Sequence, residues 1–168
     1  MADEGDREIT KRKISLINKP NVRMIQMNNS IEKDILAFGK ERNPDEFPIL
    51  ALAYMGDAVM ELFARDYVLN FSGEVKPAAL VHASKAIITC EAQSDGVEKI
   101  LEHLTEKEMA VFKRGRNAKT QHTPKHGELI QYKRATGFEA LMGYLYVSGN
   151  VLRAKQLFEV AFVKQNQR

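Results

Sequence analysis

The sequence predicts an all-α fold, and three observations carry that prediction. The 168 residues are rich in Ala, Leu, Met, Lys and Glu, with no Trp, 5 Pro and few β-branched runs, a composition that favours helix over strand. Two stretches, Leu50 to Leu62 and Ala135 to Tyr146, place apolar residues at helical spacing and interleave them with small ones. Two S/T-x-x-E patterns, Thr105 to Glu108 and Thr136 to Glu139, match the capping box that opens helices. The length suits one domain with a sizeable core and is short for two.

Taken in order, residues 1 to about 30 are polar and mixed in charge, with too little apolar surface to bury, and are expected to be flexible or weakly helical. One reading starts the protein at Met24 or Met27. Ile31, Ile35, Leu36 and Phe38 suggest a short helix over 30–40, closed by Gly39. Residues 1–45 are thus expected to form an N-terminal extension, flexible or partly helical, and 46–168 the main domain. Asn43-Pro44-Asp45-Glu46 reads as a turn. The next helix is expected from about Pro48 to Leu69, its end marked by Ser72-Gly73. Lys76-Pro77 opens another, with Leu80, Ala83, Ile87 and Cys90 on one stripe and His82 and Lys85 solvated. A break is expected at Ser94-Asp95-Gly96, before a helix over 97–104. The Thr105 capping box then starts a short helix that should stop at Gly115. Glu128 to Ser148 gives a long helix or a pair, Gly149-Asn150 a turn, and Val151 to Val163 a last amphipathic helix through Leu152, Leu157, Phe158 and Phe162.

Composition also excludes several classes. The lone Cys90 permits no internal disulfide or cysteine metal cluster, and its helical apolar setting suggests a buried, inert thiol. No apolar run reaches membrane-span length and the charged N-terminus lacks a secretory core, so the cytoplasm is the default compartment.

Two acids stand out. Asp57 lies inside an apolar run with Leu52, Val59, Leu62 and Phe63 on its periodic face. Helices approaching on more than one side would leave it short of water, and a buried carboxylate needs a basic side chain or a divalent ion. A solvent-facing or capping aspartate is the plain alternative. Glu139 is the single acid of the second small-residue stretch, and packing of the two helices would bring it to Asp57 as hard oxygen ligands for Mg²⁺. Its plain alternative is the capping box from Thr136. Glu61, four residues after Asp57, reads as a structural partner on the same face.

The formal charge is only +3 at pH 7, but its distribution is uneven. From Lys113 to Arg134 seven Lys or Arg face one acid, Glu128, while residues 1–50 are close to balance. Arg114 to Gly127 lacks helical periodicity, and a basic loop of this length suits a phosphate backbone as well as plain solvation. Arg116 and Asn117 can hydrogen-bond phosphate, 2′-hydroxyl or groove-edge atoms, whereas Lys113 and Lys119 act mainly as charges. His122 and His126 are separated by Pro124, which argues against a zinc pair.

These residues carry a family resemblance. Gly56-Asp57-Ala58-Val59-Met60-Glu61-Leu62 resembles the signature helix of ribonuclease III endonuclease domains, and Phe138-Glu139-Ala140-Leu141-Met142-Gly143 their second acidic motif. With Lys113-Arg114-Gly115-Arg116-Asn117-Ala118-Lys119 between them, the pattern is similar to the Mini-ribonuclease III branch from about Pro48 to about Ala161. Three motifs in the right order make the match specific. The resemblance implies a ribonuclease III helical bundle acting as a homodimer, with one metal-dependent site per subunit. It implies cleavage of double-stranded RNA to 5′-phosphate and 3′-hydroxyl ends, with Asp57 and Glu139 catalytic and holding Mg²⁺, for which Mn²⁺ can substitute. RNA contacts are expected from Lys113, Arg114, Arg116, Asn117, Lys119 and Lys125. The implied task is maturation of the 23S ribosomal RNA precursor, with room for help from a ribosomal protein.

There are two departures from the larger enzymes. They carry two further acids where this chain has Ala53 and Thr136, a loss the Mini-ribonuclease III branch shares, which leaves the number of metal ions open. The chain also has no room for their double-stranded-RNA-binding domain, so weaker, salt-dependent binding by the dimer and its basic loops is expected. The rival readings are a non-catalytic RNA-binding or ribosome-assembly factor on the same fold, and a helical adaptor with no RNA role.

Overall fold

The computed structural model describes residues 43–73, 76–119 and 128–163, apart from the Glu128 side chain. The expectations for the N-terminal segment, the helix over 30–40, Lys125 and the His122/His126 pair lie outside the described residues. Six helices and no strand occur among the described residues: α1 (Ile49–Phe71), α2 (Pro77–Ile87), α3 (Cys90–Ile100), α4 (Glu106–Arg116), α5 (Glu128–Val147) and α6 (Val151–Phe162). All lie in the unit Glu41–Arg168, and the fold is all-α as expected.

Most boundaries follow the local chemistry of the sequence. Asn43 caps a 3₁₀ turn over Pro44–Glu46, its Oδ1 accepting from the Asp45 amide at 3.1 Å. Pro48 precedes α1, and Gly73 ends the chain's turn beyond it at φ 68°, a conformation costly for any residue with a Cβ. The Thr105 capping box is complete: its hydroxyl accepts from the Glu108 amide at 3.3 Å and Glu108 accepts from the Thr105 amide at 2.8 Å. The same carboxylate takes a fork from Arg153 of α6, at 2.8 and 2.9 Å. Arg153 holds the Glu108 carboxyl below the usual range, so this buried acid is a paired charge tying α4 to α6.

Elsewhere the sequence expectation needs correcting. The break falls at Ile88-Thr89, where Thr89 caps α3 by accepting from the Ala92 amide at 3.2 Å. Ser94 and Gly96 are buried in mid-helix. Gly96 is small for a packing reason: a Cβ there would meet the Ala161 Cβ of α6 at 2.9 Å. Cys90, in the first turn of α3, is exposed, because the break moves it off the α2 stripe. Gly115 does not stop α4, which runs on to Arg116. Leu62 and Leu152 are exposed, at 59 % and 69 %, so they do not belong to the core faces of α1 and α6.

The core is built around α5, which packs against α1, α3, α4 and α6. Phe138, Ala140, Leu141 and Met142 are wholly buried on it, and Ala135, Tyr144 and Leu145 nearly so. A helix apolar on most of its circumference is a central one, and each large side chain buried there contributes about 1.5–3 kcal/mol. Phe158 and Phe162 of α6 close one side, with Phe158 edge-on to Phe63 of α1 at 5.6 Å and Phe162 stacked on Phe138 at 5.7 Å.

Candidate active site

The α1–α5 crossing is set by two glycines. A Cβ at Gly56 would lie 1.7 Å from the Glu139 carbonyl oxygen, and one at Gly143 would lie 1.9 Å from that of Leu52. Neither position has room for any side chain, so the two backbones touch. Gly56 precedes Asp57, and its contact is the backbone of Glu139 itself. The crossing therefore carries the two acids to one place.

They occupy different environments within it. Asp57 is exposed, contrary to the expectation of a water-poor setting. The reason is that α1 buries one face, through Leu52, Ala53, Gly56, Val59, Met60, Ala64 and Val68, and leaves the apolar residues of its other face uncovered. Glu139 is half-buried, and its carboxyl is pushed up to about 7, first by burial and then by the nearby negative charge of Asp57. The capping-box alternative for Glu139 falls away. Thr136 is buried within α5 and its hydroxyl donates to the Tyr132 carbonyl at 3.0 Å. Glu61 pairs with Arg65 one turn on, in the structural role expected of it.

Sequence reasoning missed one residue of this site, Gln93 of α3. It is only 3 % exposed. Its Nε2 donates to the Ile88 carbonyl at 3.0 Å, and a side-chain hydrogen bond to Glu139 partly offsets the upward push on that carboxyl. Its Oε1 is buried with no hydrogen-bond partner among the described residues. A single glutamine inside Cys90-Glu91-Ala92-Gln93 has no spacing signature; only the folded position marks it.

A hydrated divalent cation fits these residues. The two carboxylates are hard oxygen donors, the type that divalent cations of this kind take. No group of three or more His, Cys, Asp or Glu poised for a metal occurs among the described residues, so an ion here would keep much of its water, as Mg²⁺ commonly does. Ala53 and Thr136 are both buried and offer no carboxylate.

The basic segment is joined to the same stretch of α5. Gly115 is buried against it: a Cβ there would meet the Ala140 Cβ at 2.6 Å, and the Gly137 Cα and Thr136 carbonyl at 3.0 Å. The last turn of α4 is thereby fastened to the stretch of α5 that contains Glu139. Lys113, Arg114, Asn117 and Lys119 are exposed there and Arg116 is half-buried, its Nε donating to Asn117 Oδ1 at 3.3 Å. Their charges also suit the negative end of the helix dipole.

Comparison with known proteins identifies the family. The ribonuclease III domain family matches residues 50–150. Mini-ribonuclease 3 of Enterococcus faecalis is 41% identical over 110 residues, covering 64% of this chain and 83% of that protein. Mini-ribonuclease 3 of Brevibacillus brevis is 40% identical, covering 72% and 90%, and that of Symbiobacterium thermophilum 38% identical, covering 74% and 97%. A crystal structure of a Fusobacterium nucleatum protein superposes with a TM-score of 0.61 at 31% identity, covering 68% of this chain and 91% of that one. With motif order, helical architecture and extended sequence identity in agreement, the chain belongs to the ribonuclease III family, in its Mini-ribonuclease III branch, and is an endonuclease of the ribonuclease III type.

Proposed function

We propose that this protein cleaves double-stranded RNA with the help of Mg²⁺, leaving 5′-phosphate and 3′-hydroxyl ends, and that Asp57 and Glu139 hold the ion. One observation supports this most: α5 residues 136–143 receive, through Gly56, Gly115 and Gly143, both the Asp57 helix and the basic end of α4. Anionic oxygens for a cation and cationic side chains for a phosphate backbone are the two things that metal-assisted phosphodiester hydrolysis requires. When bound, Mg²⁺ supplies the Lewis acidity that activates water and offsets charge at the scissile phosphate.

The chain's residues do the rest. Asp57, exposed, and Glu139, half-buried, would hold the ion. Lys113, Arg114, Arg116, Asn117 and Lys119 hold the RNA backbone, with Lys125 continuing the basic stretch in sequence; such contacts set register without reading bases. The substrate assigned is a precursor of large-subunit ribosomal RNA, a role carried over from the family resemblance. A homodimer is assigned as well, supported by the exposed α1 stripe of Leu50, Tyr54, Ala58 and Leu62 at successive four-residue steps.

The test is incubation of a long RNA duplex with the protein, with and without Mg²⁺, alongside Asp57→Asn. Cutting that needs Mg²⁺, disappears in the variant and leaves ends open to 5′-phosphate-dependent exonuclease digestion is the expected result. Tight binding without cutting under any divalent ion would instead identify an RNA-binding assembly factor.

A further inference from the structure

Gln93 is buried with its side-chain nitrogen bonded and its side-chain oxygen unpartnered among the described residues. It lies one turn into α3, directly after the Ile88-Thr89 break, with its backbone amide bonded to the Thr89 carbonyl at 2.8 Å. Its side-chain nitrogen donates to the Ile88 carbonyl, and the same side chain holds down the rise in the Glu139 pKa. Its oxygen is left buried without a partner. Buried polar atoms are nearly always satisfied, and an exception in a native fold calls for a missing partner. That partner must donate and must be small. Water on a divalent cation meets both conditions.

We propose that Gln93 is a positioning residue of the metal centre: the Ile88 carbonyl fixes its amide, the amide holds the Glu139 carboxylate in place, and Oε1 accepts from the hydration shell of the cation that Asp57 and Glu139 bind. The proposal rests on the metal-dependent reading of the site. It gives the centre a third fixed oxygen, from α3, where Ala53 and Thr136 provide no carboxylate. Residues that orient metal ligands in this way commonly affect affinity by about 10–100-fold.

Mn²⁺ binding to the full-length protein at pH 8, followed by water-proton relaxation without RNA, tests it. Gln93→Met nearly preserves shape but removes both the amide hydrogens and Oε1, and Gln93→Asn withdraws the amide by one methylene. Both are expected to weaken Mn²⁺ binding at least about 10-fold while still unfolding cooperatively when metal-free. Should the Met variant fail to fold, the Asn variant decides the matter. Wild-type Mn²⁺ affinity in a folded Gln93 variant, with affinity lost in Asp57→Asn and Glu139→Gln, would overturn the role of Gln93 and leave the two-acid site standing. Unchanged affinity in those acid variants too would overturn the metal site itself.

Discussion

Glu139 meets Asp57 and Gln93 at the α1–α5 crossing, and its raised pKa makes a signed prediction. The carboxyl titrates near 4.5 when free and near 7 in the fold, because burial and the Asp57 charge oppose its ionisation. Below pH 4.5 it is protonated in both folded and unfolded chains and contributes nothing to the difference. Between those values the unfolded chain ionises first, so the native state binds more protons and stability falls as pH rises. Above about 7 the full penalty is present, on the order of 3 kcal/mol. Urea unfolding in a chelator should therefore show Glu139→Gln more stable than wild type at pH 8 by up to that amount, and nearly equal to it at pH 4.5; a pH-independent difference would refute the account of this acid. At this scale the sequence was partly legible. The two acids stood out because each is alone among small and apolar neighbours. The exposure of Asp57 did not, since apolar residues on both faces of a helix look the same whether or not the second face is covered. Gln93 was invisible, because a lone amide becomes informative only when burial and an unpaired oxygen are known.

At the scale of elements, helix types and most ends could be read because caps and prolines act locally. Thr105 to Glu108 works as its spacing implies. The Ile88-Thr89 break was masked by the stronger-looking Ser94-Asp95-Gly96, whose glycine answers to α6 packing and whose serine is buried within the helix. Glycine in a helix costs about 1 kcal/mol against alanine, and Gly56, Gly115 and Gly143 offset that by permitting backbone contact with α5 or, from α5, with α1. Gly56→Ala and Gly143→Ala would force the α1 and α5 backbones apart, since contacts below 2 Å cannot be absorbed by side-chain motion. Each should lose about 3 kcal/mol or more in urea unfolding, and any folded fraction should bind Mn²⁺ poorly. A loss under about 1 kcal/mol, the size of ordinary surface changes, would mean that the crossing is looser than described.

For the whole molecule, charge and apolar surface govern association. The net +3 would bind RNA weakly if spread evenly, but Gly115 holds the basic end of α4 against α5 residues 136–140. Arg116→Glu with Lys119→Glu should weaken duplex binding by at least about 10-fold at low salt and flatten the dependence of log affinity on log salt by about one to two units. Unchanged affinity would remove the α4 end from the interface. On the opposite type of surface, Tyr54 is 81 % exposed, and Tyr54→Asp should convert a dimer to monomer in sedimentation velocity; a dimer of wild-type stability would place the interface elsewhere. Fold class and the order of motifs were legible at this scale, because they depend on composition and local pattern. The uncovered face of α1 was not, because it depends on which surfaces one chain leaves open.

The central claim is that Asp57 and Glu139 act as one unit on one catalytic centre, and single-turnover cleavage of duplex RNA in Mg²⁺ by wild type, Asp57→Asn, Glu139→Gln and the double variant tests it most directly. Residues acting as a unit are non-additive. Each single change should lower the rate by at least about 100-fold, corresponding to several kcal/mol of lost charge stabilisation, and the double variant should be no slower than the worse single one. A single variant cutting at the wild-type rate, or losses that multiply in the double variant, would contradict it.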